Sequence, residues 1–245
     1  MADKLGADMT AMFAPLLEST MFLARGGAAA HVRANTIDSF QLGLRLGASG
    51  INGDIWLTGD GQAVFNTGSQ VGPRLRRKSI NSIDKAASPS ELVGLGELYE
   101  GCGSDFELAL EMRDPAAFEA VIEAAQAAGA LERLWVTHGD IETLSEWRES
   151  YPGVRFVHSV RLADLPRGPE QHAARLRERG ISGVSLPFSE WTAGYVTLFH
   201  RFTRLTMGWM AEHERQVVEL LDMGIDVVVS EQVERMTDAA RSRGY

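Results

Sequence analysis

Side chains that can bind an anion or a cation recur at the ends of apolar segments in this 245-residue chain. They are Arg25, Asn52, Asp54, Glu111 and Arg113. Residues two apart on a strand face the same side, so Asn52 can point with Asp54, and Glu111 with Arg113. Arginine forks bind phosphate through paired hydrogen bonds, whereas carboxylate and amide oxygens suit Mg²⁺ or Ca²⁺. We therefore expect the charged groups to meet around an anion-accepting hollow.

The segments that position these groups alternate between the sequence patterns of strands and of helices along the chain. Short apolar segments rich in β-branched residues predict strands at 21–25, 50–57, 106–112, 134–138, 154–159, 183–188, 204–210 and 225–230. Helical periodicity predicts helices at 36–46, 90–99, 116–128, 141–150, 169–179, 191–202, 212–223 and 233–241. Asn35 and Asp140 are the predicted N-caps of the first and fourth helices. Eight such units fit a closed (β/α)₈ barrel, although an open doubly wound sheet has the same alternation.

Composition excludes several classes of protein. The net charge of -9 argues against nonspecific binding of nucleic acid. Arg74, Arg76, Arg77 and Lys78, called here the basic run, depart from this average. Cys102 is the single cysteine, so an intrachain disulfide and a cysteine-rich zinc site are excluded. No apolar segment has the ~20 residues that a membrane-spanning helix needs. We expect a cytoplasmic protein, with residues 1–20 as a leading helix that covers one end of the fold.

A family resemblance is concentrated in residues 23–61. The stretch is similar to the opening of the glycerophosphodiester phosphodiesterases, whose pattern runs His-Arg-Gly, Glu-Asn-Thr, Glu-x-Asp, Asp-Gly and His-Asp. The matching residues are Arg25, Gly26, Asn35, Thr36, Asp54, Asp60 and Gly61. The resemblance favours the barrel of the phospholipase-C-like phosphodiesterase type over an open sheet. It also implies one domain over residues 1–245, with residues 68–103 as a loop or insertion region beside the site.

The resemblance implies roles for several residues. It makes Asp54 and Glu111 metal ligands, with Asn52 offering an amide oxygen in place of the usual glutamate. It makes Arg25 a phosphate contact, and Arg113 takes the place of the lysine of the family. The implied cofactor is Mg²⁺ or Ca²⁺, and the implied substrate is a phosphorylated small molecule or a lipid-derived group. Trp209 falls where a tryptophan often walls the substrate pocket.

The departures from the pattern affect the chemistry. Ala24 and Thr67 stand where the family has its two histidines, and neither side chain can move a proton near neutral pH. A positioned acid or base contributes ~10²–10⁴-fold to a rate, so ordinary hydrolysis by this route is not expected. His31, His138 and His158 are the candidates to replace them, and each also has a plain interpretation as a solvated or strand-end residue.

Two further features have a functional and a plain interpretation. The basic run can clamp an anionic group at the mouth of the barrel, or it can be a solvated loop. Glu231 follows the last strand, where it can orient Arg25 or cap the last helix.

The sequence leaves three functions open. The first is a diverged enzyme that binds a phosphorylated or diphosphorylated small molecule or lipid head group through arginines, possibly with a metal. The second is a working glycerophosphodiester phosphodiesterase. The third is a non-catalytic relative that binds a ligand or a partner protein.

Overall fold

The computed structural model describes residues 14–244 of the chain. Within this range, eight parallel strands form a closed ring in the order β1, β11, β10, β9, β8, β7, β6, β2, and β2 pairs again with β1. The ring strands are β1 (Met21–Arg25), β2 (Gly50–Leu57), β6 (Glu107–Met112), β7 (Leu134–His138), β8 (Arg155–Ser159), β9 (Gly183–Pro187), β10 (Leu205–Trp209) and β11 (Val227–Ser230). The predicted (β/α)₈ barrel is confirmed.

Helices return the chain from each strand to the next. They are α1 (Ile37–Arg45), α2 (Leu95–Cys102), α3 (Phe118–Ala127), α4 (Ile141–Ser150), α5 (Gly168–Glu178), α6 (Ala193–Arg201), α7 (Glu214–Asp222) and α8 (Val233–Ser242). Asp140 caps α4 as predicted, since its carboxylate accepts from the backbone N–H groups of Glu142 and Thr143. The predicted cap of α1 is wrong by one residue. Thr36 accepts from the N–H of Ser39, whereas Asn35 adopts a left-handed conformation with φ of 59°.

Two apolar cores hold the barrel. Inside the ring, side chains from alternate positions pack as one cluster: Leu23, Ala109, Trp135, Val157, Met207, Val227 and Val229. Between the ring and the helices lies a larger cluster that includes Phe40, Phe156 and Phe199, all fully buried. This arrangement follows from strand parity, because successive side chains point alternately into the ring and toward the helices.

A subdomain interrupts the second β/α unit. β3 (Ala63–Phe65) pairs antiparallel with the end of β2. Gly53 of β2 allows this contact, since a Cβ there would lie 2.7 Å from the ring of Phe65. A hairpin of β4 (Gln70–Val71) and β5 (Lys78–Ser79) follows. The predicted insertion at 68–103 therefore contains this hairpin and all of α2.

The opposite end of the barrel is closed by the chain before β1. Most of the predicted leading helix, residues 1–13, lies outside the described range, and residues 14–20 are irregular. The fully buried Asp226 accepts hydrogen bonds from the backbone N–H groups of Leu16 and Leu17 at 2.5 and 3.3 Å. This contact holds the segment across the N-terminal ends of the strands. None of the helices within residues 14–244 combines the length and apolar character needed to cross a bilayer.

Candidate functional site

The C-terminal ends of the ring strands carry the polar side chains that point inward. Several of them lie two residues after an apolar residue of the inner cluster on the same strand, so both side chains point into the ring. These side chains line a cavity of about 230 Å³, called here the mouth cavity. Its lining includes Arg25, Asn52, Glu111, Arg113, Thr137, Ser159, Ser185, Trp209, Glu212 and Glu231. Strand ends at this face of a barrel are where enzymes of this architecture place their chemistry.

One carboxylate joins two arginines at the edge of the mouth cavity. Arg25 Nη2 donates to Asp54 Oδ2 at 2.8 Å, and Arg113 Nε donates to Asp54 Oδ1 at 3.0 Å. Arg25 Nη1 also donates to Asn52 Oδ1 at 2.8 Å. Asn52 is fixed in turn, because its Nδ2 donates to the carbonyl of Ala109 at 3.1 Å. Both guanidinium groups are therefore held in place from strands β1, β2 and β6.

Burial differs sharply within this group. The Asp54 side chain is 4% exposed, whereas those of Arg25 and Arg113 are 29% and 46% exposed. The carboxylate thus lies beneath the two guanidinium groups, which face the cavity. Two positive charges share one negative charge, so this side of the mouth cavity has an excess of positive charge that an anion can neutralise.

Carboxylates line other parts of the mouth cavity. Glu111 accepts from Thr137 Oγ1 at 2.8 Å, which fixes its orientation. Glu212 accepts from Ser230 Oγ at 3.1 Å and from the backbone N–H of Glu231 at 3.2 and 3.3 Å. The cavity therefore has mixed charge. It suits a ligand with an anionic group at one end and hydrogen-bond donors elsewhere.

Trp209 presents an unpaired donor at this site. Its Nε1 is buried and has no hydrogen-bond partner. An orphaned buried N–H is uncommon in a folded protein, and a ligand oxygen is one way to satisfy it. The side chain borders both the mouth cavity and a neighbouring cavity of about 570 Å³. Its position agrees with the predicted role in the pocket wall, which stays a prediction.

The arrangement does not fit a divalent cation. Both oxygens of Asp54 and the amide oxygen of Asn52 already accept from arginine N–H groups. A cation at these atoms would have to displace two guanidinium groups of its own sign. Among residues 14–244, no cluster of three His, Cys, Asp or Glu side chains has the geometry of a metal site. The Mg²⁺ or Ca²⁺ expected at Asp54, Asn52 and Glu111 stays a prediction.

Two of the three candidate histidines point away from the ring. His138 follows the inward-facing Thr137, so it faces outward; its Nδ1 accepts from the backbone N–H of Asp140 at 3.0 Å. His158 has the same parity and is buried against His172 of α5, with Nδ1 and Nε2 3.1 Å apart. Burial lowers the pKa of His158 and lowers that of His172 to about 4. Both rings are therefore neutral at pH 7.

His31 lies in the loop after β1 and pairs with Glu234 of α8 at 3.3 Å. None of the three candidate histidines lines the mouth cavity, although His158 and His172 border the neighbouring cavity. Their catalytic role stays a prediction, without a contact to the arginines to support it.

The positions that depart from the family pattern have different surroundings. Ala24 is fully buried on the outer side of β1, and a Cβ at Gly43 of α1 would lie 3.0 Å from its methyl group. Thr67 is exposed, and its hydroxyl accepts from Asn35 Nδ2 at 3.4 Å. The basic run is exposed and does not line the mouth cavity.

Several site residues were not singled out from the sequence. Thr137, Ser159 and Ser185 form part of the cavity wall, and Glu212 comes from the loop after β10. Strand parity was the available signal for the first three, since each lies two residues beyond an inward-facing position. Glu212 had no such signal, because the direction of a side chain in a loop does not follow from its spacing along the sequence.

Several solved structures of glycerophosphodiester phosphodiesterases have the same fold. A Silicibacter pomeroyi protein described as a glycerophosphoryl diester phosphodiesterase superposes with a TM-score of 0.84 at 15% identity, covering 96% of this chain and 98% of that one. The glycerophosphodiester phosphodiesterase of Thermotoga maritima gives 0.77 at 19% identity, over 90% and 98% of the two chains. An Oleispira antarctica phosphodiesterase, solved with the product sn-glycerol-3-phosphate, gives 0.79 at 16% identity, over 90% and 96%.

These likenesses establish a barrel of the phosphodiesterase type. This chain has the fold of the glycerophosphodiester phosphodiesterases over nearly its whole length. No protein-family model and no curated protein match the sequence.

Proposed function

We propose that this protein binds a phosphorylated small molecule in the mouth cavity, with the phosphate on Arg25 and Arg113, and that it is a phosphodiesterase-type enzyme with altered chemistry. The observation that carries the proposal is the carboxylate of Asp54 shared by both arginines. Two guanidinium groups held on one buried carboxylate are positioned before a ligand arrives. Little of their side-chain entropy is then lost on binding.

The donors that remain free suit a phosphate. A guanidinium has five N–H donors. Arg25 uses two of them on Asn52 and Asp54, and Arg113 uses one on Asp54. The remaining donors of Arg113 include both of its terminal nitrogens, which can form the paired hydrogen bonds that phosphate oxygens accept.

The rest of the ligand is suggested by the carboxylates and Trp209. Glu111, Glu212 and Glu231 line the cavity, and their carboxylates can accept hydrogen bonds from hydroxyl or amine groups next to the phosphate. The sn-glycerol-3-phosphate bound by the Oleispira antarctica enzyme is a ligand of this kind. A phosphorylated polyol or amino alcohol, free or as the head group of a lipid, is therefore the proposed ligand class.

Any bond cleavage would use groups other than the two histidines of the family pattern. The arginines can stabilise charge that develops on the phosphoryl oxygens, which is a major source of catalysis in phosphoryl transfer. Proton transfer would fall to a glutamate of the mouth cavity, where Glu111 and Glu212 are each oriented by a side-chain hydrogen bond. A non-catalytic binding protein is the second candidate, favoured by the absence of a histidine from the cavity lining.

Calorimetry with sn-glycerol-3-phosphate and with inorganic phosphate tests the binding. Arg25→Gln and Arg113→Gln should each weaken binding roughly tenfold to a hundredfold, the usual contribution of a charged hydrogen bond. Arg133→Gln is the matched control, because Arg133 also pairs with one carboxylate, that of Asp105, but lies outside the cavity. Equal affinities in all three variants would overturn the proposal.

Two further measurements separate the alternatives. Binding that is unchanged by EDTA and by added Mg²⁺ supports the arginine site, whereas Mg²⁺-dependent binding supports the metal ligands predicted from the sequence. Incubation with glycerophosphodiesters, followed by mass spectrometry, detects turnover. Metal-dependent release of the alcohol would identify a working glycerophosphodiester phosphodiesterase, and binding without any product would identify the non-catalytic relative.

A further inference from the structure

A short hairpin follows β3 in the subdomain after β2. β4 and β5 pair through Gln70 with Ser79 and Val71 with Lys78. The connecting residues 72–77, called here the hairpin tip, contain a turn in which the N–H of Arg76 donates to the carbonyl of Pro73 at 2.7 Å. Arg74 and Leu75 occupy the centre of that turn. They are therefore the residues that extend furthest along the hairpin.

The tip combines cations with an apolar side chain in solvent. Leu75 is 97% exposed, the most exposed of the large hydrophobic residues within the described chain. All four residues of the basic run are exposed, and none forms an ion pair with another residue of 14–244. Most other arginines at the surface do pair with a carboxylate, as Arg133 does with Asp105. The positive charge of the tip is therefore not neutralised within the protein.

The hairpin is anchored, so its tip has a defined position. Val71 is buried with Ile80, Ile83 and Leu92 in a small apolar cluster of their own. Gly72 adopts φ of +98°, and a Cβ there would lie 2.9 Å from Pro89. The apolar cluster beneath the strands and this close contact at the base of the tip hold the projecting turn.

The hairpin leaves the barrel at the same end as the arginine site. The N–H of Asn66, just after β3, donates to the carbonyl of Asp54 at 3.2 Å. Four residues later β4 begins. The hairpin tip and the mouth cavity therefore lie at the same end of the barrel, where the strands finish.

We propose that the hairpin tip docks this protein on the surface of an anionic lipid bilayer, with Leu75 entering the interface and the mouth cavity held near the head groups. Each Lys or Arg close to an anionic leaflet strengthens binding by about fivefold. A leucine flanked by such cations can enter the bilayer–water interface while the cations contact the anionic head groups. The inference concerns adsorption to the bilayer and does not depend on the proposed function.

Charge complementarity favours a bilayer over nucleic acid. The whole chain carries -9, so a long polyanion lying along the protein would be repelled by most of its surface. A bilayer can be reached by one projecting turn while the acidic body stays in solution, beyond a screening length of ~8 Å. The exposed Leu75 adds a contact that a phosphate backbone does not use.

Sedimentation of the full chain with vesicles tests this inference. The vesicles contain phosphatidylcholine alone, or phosphatidylcholine mixed with phosphatidylglycerol. We expect binding to the mixed vesicles only, weakened by added salt. A variant with Arg74→Gln, Arg76→Gln, Arg77→Gln and Lys78→Gln should bind at least about a hundredfold more weakly. Leu75→Asn should weaken binding by about tenfold without a change in charge.

The matched control removes four cations at the other end of the barrel: Arg133→Gln, Arg201→Gln, Arg241→Gln and Arg243→Gln. It has the same net charge as the hairpin variant and should bind as the unmodified protein does. Equal loss in both variants would show that net charge alone governs adsorption and would overturn the inference. So would no binding to the mixed vesicles, or tighter binding to a single-stranded oligonucleotide. Circular dichroism of each variant confirms that it is folded. Phosphate binding in solution is measured separately, so that a failure of bilayer docking is distinguished from a failure of phosphate binding in the mouth cavity.

Discussion

Arg25 ends strand β1 and Arg113 directly follows strand β6, yet each donates to its own oxygen of the Asp54 carboxylate. This shared contact links β1, β2 and β6 at the edge of the mouth cavity. It also makes this side of the mouth cavity positively charged, because the carboxylate is buried and the two guanidinium groups face the cavity. Asp54 thus acts as the support of an anion site.

Removing the charge of Asp54 should destabilise the fold. Asp54→Asn leaves two guanidinium groups without their carboxylate, and we expect a loss of about 2 kcal/mol in the free energy of unfolding. The loss is smaller than for a fully buried ion pair, because both arginines are partly exposed. Urea unfolding measures it. Asp105→Asn is the control: its side chain is 95% exposed, so the ion pair with Arg133 should contribute less than about 1 kcal/mol. Equal effects at both positions would contradict a supporting role for Asp54.

Restoring a histidine at position 24 should fail to restore hydrolysis. The Ala24 side chain is fully buried against Gly43, so Ala24→His must displace α1 and bury a polar ring. We expect a destabilisation of about 2 kcal/mol or more. Thr67→His, at an exposed position, should change stability little. Thermal unfolding and assays with a glycerophosphodiester check both variants. A stable, active Ala24→His protein would show that a histidine can be accommodated between β1 and α1.

Trp209 and Trp191 should respond differently to the same substitution. Trp209→Phe removes an N–H that has no partner, so the free energy of unfolding should stay within about 0.5 kcal/mol while ligand affinity falls about fivefold. Trp191→Phe removes an N–H that donates to the carbonyl of Met207 at 3.1 Å, and should destabilise by about 1–2 kcal/mol. Urea unfolding and calorimetry distinguish the two. Unchanged ligand affinity in Trp209→Phe would show that its Nε1 faces no ligand atom.

The buried histidine pair predicts a loss of stability in acid. The pKa of His172 is about 4 in the folded protein, because burial disfavours its charged form, against an ordinary value near 6.5. Below about pH 6.5 the unfolded chain takes up a proton that the folded protein does not, so stability decreases as the pH falls toward 4. The full effect is roughly 3 kcal/mol. His172→Gln keeps a donor for His158 and does not titrate, so its stability should depend less on pH over this range. Parallel curves for the two proteins would exclude this cause.

The ring strands were predictable because their apolar, β-branched segments have a strong period. The predicted and observed strands differ by at most two residues at either end. The start of α2 was not predictable in the same way. A helix was expected from residue 90, but the helix begins at Leu95, because Gly94 forms a bridge to Val64 of β3. A contact with a strand thirty residues earlier overrides local propensity there.

The sequence predicts the direction in which the side chains of the site point, but it does not predict the contacts between them. Parity indicated that Asn52 points with Asp54, and Glu111 with Arg113. His138 was instead expected at the site, although it follows the inward-facing Thr137 and therefore points outward. The choice of Arg25 and Arg113 as partners of Asp54 depends on long side chains that reach across neighbouring strands. Such a choice follows from distances in three dimensions, which a period along one strand does not specify.

The closure of the ring through β1 limits how this protein can associate with others. Every strand of the ring has a neighbour on both sides, so no ring strand within the described residues offers a row of unpaired peptide groups. Outside the ring the strands are short: β3 has three residues, with its Val64 bridged to Gly94, and β4 and β5 have two residues each. Strand addition, a common route to dimers and fibres, therefore has little backbone available to extend. Self-association would instead have to use helix and loop surfaces, where side chains determine the partner.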